Sequence, residues 1–263
     1  MTSYRVATFA RRRRKAVVAA TDPLGAGNTA LVTALGGDAA VLAFYDVRKN
    51  VTLNGSTVSQ WDDVRGATGF GPSLAQATAA NQPTWDSAAL TMTFNTTSAD
   101  LHTPATALFD LSSGLSIAYV GTLPAVNNSY AASVADSAAA NRVLSVAVAL
   151  EPNVATKTFP GPVILTSGVA AGSTRRLMLA AAISTTSQSE VPAHARATST
   201  ITAVSAGNNA LCLNEYFAGA GAPRAGIIVR AVLVLAGSYT TAQKNALATW
   251  ASNPLYHNVV LAS

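Results

Sequence analysis

From Ala40 onward, short apolar runs alternate with turn signals, and that rhythm leaves few folds open to the chain. The runs are Val41–Tyr45, Thr52-Leu53, Thr57–Trp61, Leu90–Phe94, Leu115–Leu123, Ser129–Val134, Arg142–Leu150, Val163–Ser167, Leu177–Ser184, Thr198–Val204, Ala210–Tyr216 and Ile227–Leu235. Asn54-Gly55 sits between the second and third, and Asn-Gly is the pair best able to take the positive φ values of a tight hairpin turn. In Arg142–Leu150, Val143, Ser145, Ala147 and Ala149 fall on one face and Leu144, Val146, Val148 and Leu150 on the other. Strands of this length, with turns every ~8–12 residues, predict an antiparallel sandwich or barrel. Repeated strand–helix alternation is missing, which argues against a parallel α/β sheet.

One helix closes the chain, from about Thr241 to Ser252. Thr240 is placed to cap it and Gln243 to complete a capping box. Leu247 and Trp250, three residues apart, share the face that would dock on the sheet. Asn253-Pro254 ends it, because a residue before proline avoids helical geometry.

Residues 1–40 read differently. Arg5, Arg11, Arg12, Arg13, Arg14 and Lys15 precede the first acid, Asp22; the remaining eleven basic residues face twelve acids, so the body is near neutral. The basic balance therefore belongs to an arm, expected to be extended with one or two helical turns between Asn28 and Leu35. The small residues Ala16–Ala20, broken by Asp22-Pro23, are too short for the apolar core of an export signal. Only 11% of residues are charged, against ~25% in ordinary soluble domains. Such a surface suits a protein packed against neighbours, where buried charge would be costly. No apolar run approaches the ~18 residues of a membrane span. The domain expectation is a basic arm over 1–40 and one β domain over 41–263.

The order of features resembles the concanavalin A-like (laminin G-like) jelly-roll domains found in bacteriophage virion proteins and bacterial surface proteins. The residues that carry the resemblance are Ala43-Phe44-Tyr45-Asp46, then Val58–Gly66 with Trp61-Asp62-Asp63, Gln76-Ala77-Thr78 and Asn81-Gln82-Pro83. Leu90–Phe94, Ala99-Asp100-Leu101 and the closing Gly226–Leu235 before Ser238 and the helix follow. The resemblance spans about Val41 to Tyr256 and implies an antiparallel two-sheet jelly-roll sandwich, often with a concave glycan-binding face. Arg230 stands where the family's last strand often carries an acid, and no calcium set maps onto the chain.

Catalytic chemistry finds little support in the residue pattern. Glycoside hydrolysis needs two carboxylates ~5–10 Å apart, yet Glu151, Glu190 and Glu215 each stand alone. Asp62-Asp63 would point to opposite faces of a strand and read better as a turn whose carboxylate accepts backbone N–H groups. Asp100-Leu101-His102 is the nearest approach to an acid–imidazole pair, and His194 and His257 have no ligand-spaced neighbour. The lone Cys212, between leucines, reads as a small buried hydrophobe. Trp61 and Trp250 suit a core, while Trp85 is the candidate for stacking on a sugar ring.

The resulting expectation is a non-enzymatic structural protein of a virus (bacteriophage) particle, without cofactor or metal. Its first form is a capsid decoration protein, tethered to the major capsid protein or a tail component through Arg11, Arg12, Arg13, Arg14 and Lys15. Nucleic-acid contact by that arm and homo-oligomer formation are lesser expectations, and no membrane partner is expected. The alternative is a carbohydrate-binding tail, fibre or adhesion module that holds a host glycan through Trp85.

Overall fold

The computed structural model describes residues 23–66, 70–104, 109–124, 129–136, 143–148, 153–159, 163–170, 172–192, 194–201, 209–214, 225–259 and 261. Helix α1 spans Pro23–Ala34 and α2 spans Thr241–Ser252. Between them run β1 (Val41–Asp46), β2 (Val51–Asn54), β3 (Thr57–Trp61), β4 (Leu74–Ala75), β5 (Thr84–Asp86) and β6 (Thr91–Phe94). Then come β7 (Leu101–His102), β8 (Leu115–Leu123), β9 (Ser129–Asp136), β10 (Val143–Val148), β11 (Asn153–Phe159) and β12 (Val163–Ala170). β13 (Gly172–Ile183), β14 (Thr186–Glu190), β15 (Ala197–Thr200), β16 (Asn209–Leu213) and β17 (Ile227–Ala236) complete the series. Neither helix is long and apolar enough to cross a membrane.

Every pairing is antiparallel, and the hydrogen bonding makes one curled sheet. One arm of it runs β1, β17, β8, β13, β14, β15. The other runs β2, β3, β4, β7, β16, β9, β10, β11, β12. The expectation of two separate sheets is corrected here: β5 bonds to β3 while β6 bonds to β17, so the ladder passes unbroken from one arm to the other.

The curl encloses a core of Tyr45, Trp61, Leu74, Met92, Phe94, Leu101, Phe109, Ile117, Tyr119, Val134, Leu211 and Val232. Strand alternation explains its counterpart on the outer face. In β8, Ile117 and Tyr119 point inward, while Ala118 and Val120 join Phe44, Leu177, Leu179, Ala231 and Leu233 beneath the helices. Burial of each large side chain stabilises the fold by roughly 1.5–3 kcal/mol. The alanines on the outer face let the helices come close. There Leu31, Val32 and Leu35 of α1 meet Leu247, Trp250 and Ala251 of α2, and the Trp250 ring lies edge-on to Phe44 at 5.5 Å between centroids.

Residues 23–34, expected to be mostly extended, form three turns of helix. Pro23 opens the helix, where its missing N–H costs nothing. It ends on Gly36 and Gly37, at φ of 109° and 81°, with Gly37 N donating to Val32 O at 2.9 Å. Glycine takes that left-handed turn without a Cβ penalty. The capping box of α2 forms as its sequence predicts: Gln243 N donates to Thr240 Oγ1 at 3.2 Å, and Thr240 N to Gln243 Oε1 at 2.8 Å.

Candidate functional site

The end of β1 carries a dense polar junction. Asp46 is fully buried, and Arg48 folds back two residues to grip it, with Nε 2.7 Å from Oδ1 and an Nη2 contact to Oδ2. His257 Nε2 lies 3.5 Å from Asp46 Oδ2, and Asn28 Nδ2 donates to the same oxygen at 3.4 Å. Burial raises the Asp46 carboxyl, but hydrogen bonds from Arg48 and His257 outweigh it and leave the pKa far below the ordinary range. Burial lowers the His257 pKa, and its contact with Asp46 only partly restores it. Lys49 N donates to Asp46 O at 2.8 Å and Asn50 takes a φ of 55°, so the chain turns sharply from β1 into β2.

That turn forms one wall of a cavity of about 360 Å³, lined by Val47, Arg48, Lys49, Asn50, Val51, Leu53, Trp85 and Leu90. Trp85 is supplied by β5, with its backbone N donating to Ser56 O at 2.9 Å. Trp85, like Val51, packs against the core and is half-buried. Its indole N–H has no protein acceptor among the described residues. The rim is apolar and open: Leu53 is 44% exposed and Leu90 is 37% exposed. Leu90 sits at a φ of 49°, unusual for a branched side chain. Asp86 Oδ1 accepts from Ala88 N and Ala89 N, each at 2.9 Å, and Arg230 donates to Ala89 O, so the β5–β6 turn is held in that shape.

On the far side of Lys49 lies a second cavity of about 350 Å³, between α1 and the loop after β3. Arg65 bonds Asp63 and Asp38 there, and its guanidinium stacks 4.4 Å over the Phe70 ring. A third, of about 400 Å³, lies between α1 and α2.

The fold separates the residues singled out in the sequence. Trp85 lines the first cavity; Trp61 and Trp250 are buried in the two cores. Arg11, Arg12, Arg13, Arg14 and Lys15 lie outside the described residues. Asp63 organises its loop as its position after Trp61 implies, accepting from Phe44 N at 2.8 Å, Arg65 N at 2.9 Å and Gly71 N at 3.3 Å. Asp100 Oδ2 and His102 Nε2 stand 3.9 Å apart, with Gln76 donating to the other Asp100 oxygen. Cys212 is fully buried. Among the described residues, no three His, Cys, Asp or Glu side chains are grouped to hold a metal ion. Sequence reasoning missed Arg48, Lys49 and Asn50. The signal available was a polar triplet between two apolar runs, which marks a turn but not what the turn faces.

The fold is shared with domains of carbohydrate-active enzymes. No protein-family model matches the sequence, and no curated protein does. Among solved structures, domain 4 of AbnA, a GH43 extracellular arabinanase from Geobacillus stearothermophilus in complex with arabinotriose, is similar at 12% identity and a TM-score of 0.53. That match covers 80% of this chain and 99% of that domain. Trypanosoma rangeli sialidase bound to a difluorinated nononic acid is similar at 12% identity and a TM-score of 0.58, over 83% of this chain and 34% of the sialidase. The same sialidase with the inhibitor DANA gives 11% identity and a TM-score of 0.55. The chain thus spans about a third of the sialidase's length. At these identities the likeness is one of fold.

The expectation of a non-enzymatic protein is corrected by these matches: the fold is one that a sialidase and a domain of an arabinanase also carry, so it does not set enzymes aside. It rested on glutamates that stand alone along the chain and on Asp62-Asp63 pointing to opposite faces of a strand. In a curled sheet, however, acids from separate segments meet: Asp38 and Asp63, from either side of β1, both reach Arg65. Spacing along the chain therefore does not bound the carboxylate pairs available.

Proposed function

We propose that this chain is a carbohydrate-binding domain of concanavalin A-like type, with the Trp85 cavity as its saccharide site. The observation that carries the reading is Trp85 itself: a half-buried indole, packed against the core, that lines a cavity together with Arg48, Lys49 and Asn50. A sugar ring presents an apolar C–H face and a fringe of hydroxyls. It needs an aromatic plate and a few well-placed donors and acceptors, in a site that is already formed. Trp85 supplies the plate and a free N–H, while Asn50, Lys49 and Arg48 supply the polar edge. The likeness to an arabinanase domain solved with arabinotriose supports this choice and names a first ligand to try. The reading holds whether the domain is displayed on a virus particle or belongs to an enzyme.

The test is calorimetric titration of the chain with arabinotriose and a panel of plant and bacterial oligosaccharides, with reducing-end release measured on the same samples. Saturable binding to at least one saccharide, lost in a Trp85→Ala variant that circular dichroism shows to be folded, is the expected result. Binding that survives Trp85→Ala would move the site elsewhere.

A further inference from the structure

The Trp85 cavity is backed by more positive charge than the fold uses. Arg48 lines it and is paired with Asp46. Behind it, Arg230 is 8% exposed, donates to Ala89 O and keeps a buried Nε with no hydrogen-bond partner. Arg175 donates to His257 O at 2.6 Å. Among the described residues neither Arg175 nor Arg230 forms an ion pair, so three guanidiniums there share one carboxylate. His257 does not change that sum, because burial keeps its ring neutral. Lys49 also lines the cavity wall. The strain is felt at Arg230, whose pKa is lowered to about 10 by burial and then by the Arg175 and Arg48 charges.

A structural ion pair needs no such surplus. A buried arginine retained next to two others costs desolvation and repulsion, and an arriving anion would relieve both. Arg230 is well placed to transmit the effect, because it holds the carbonyl of Ala89 and the next residue, Leu90, lines the cavity.

The geometry points to an acidic saccharide as the ligand of the Trp85 cavity, with a ring carboxylate directed to the Arg48–Lys49 wall and Arg230 behind it. This rests on the carbohydrate reading above and adds the charge of the ligand to it. Guanidinium and ammonium groups form charge-assisted hydrogen bonds to carboxylate, about twice as strong as those to hydroxyls.

Two probes of one shape isolate the charge: tetragalacturonate and its fully methyl-esterified form. In calorimetry on the full chain, the acid is expected to bind about tenfold tighter than the ester, the worth of one charge-assisted hydrogen bond. That preference should shrink as sodium chloride rises. Lys49→Gln, at a half-buried wall residue, should lower the affinity for the acid more than that for the ester and so shrink the preference. Arg230→Met should do the same if it folds, which its circular dichroism and melting temperature report. Equal or weaker binding of the acid, or a preference untouched by Lys49→Gln, overturns the inference. Should arabinotriose bind at Trp85 while neither probe does, the inference falls and the carbohydrate reading stands. Should no saccharide bind, both fall.

Discussion

His257 sets how the protein responds to mild acid. Its pKa lies below the free value because burial disfavours the charged ring, although Asp46 pulls the other way. The folded state therefore binds fewer protons than the unfolded chain once pH drops under ~6.5. The stability from keeping the ring neutral is complete above that value and is lost as pH falls toward the folded pKa, at no more than ~1.4 kcal/mol per pH unit. Asp46 and Glu190 do not contribute in this window. Both have depressed pKa values, so their contribution is lost only in stronger acid. Melting temperature should fall between pH 7 and pH 5, and His257→Gln should flatten that slope whatever it does to the absolute value. An unchanged slope in the variant would remove His257 as the cause. A second residue prediction concerns space. A Cβ at Gly121 would stand 2.1 Å from Ile228 O on the neighbouring strand, and backbone cannot swing aside as a flexible side chain can. Gly121→Ala should cost roughly 3 kcal/mol, the upper end of the overpacking range, measured by urea denaturation.

At the scale of elements, α2 is held at its start and on its flank. Thr240→Ala removes half of the capping box and should cost about 1 kcal/mol. Lys244 Nζ and Arg196 Nε each lie 2.8 Å from the buried Glu190, so this acid fastens α2 to β14. Glu190→Gln should destabilise more than Thr240→Ala in the same assay, because it leaves two half-buried cations without their partner. These elements also show what a sequence discloses. β3, β8 and α2 begin and end where period-2 alternation, the Asn-Gly turn and the capping residues place them. β14 escaped notice because Thr186–Glu190 reads polar; Ser187, Ser189 and Glu190 are nonetheless buried. α1 was hidden by Gly25 and Gly27, poor helix residues in isolation. Gly27 is needed because a Cβ there would stand 2.0 Å from the Tyr256 hydroxyl, so tertiary packing overrides propensity.

The whole molecule is a curled sheet that leaves its chemistry to the turns. The β character and the position of most strands were accessible from alternation, whereas the order in which the strands pair was not. The site was only half accessible: Trp85 stands out as an unassigned indole, whereas Arg48, Lys49 and Asn50 lie 35 to 37 residues earlier and meet it only because β5 pairs with β3. The same long-range gathering brings Arg230 and Arg175 behind the cavity wall. It also explains why acids that look isolated along the chain say little about which pairs the fold can assemble. The central claim is that the cavity under Trp85 binds saccharide. Its most direct test is a titration of the intact chain and Trp85→Ala with an oligosaccharide panel, followed by tryptophan fluorescence and calorimetry. The account predicts saturable binding that quenches Trp85 and vanishes in the variant while circular dichroism shows the variant folded. Equal binding by both proteins, or none by either, would contradict it.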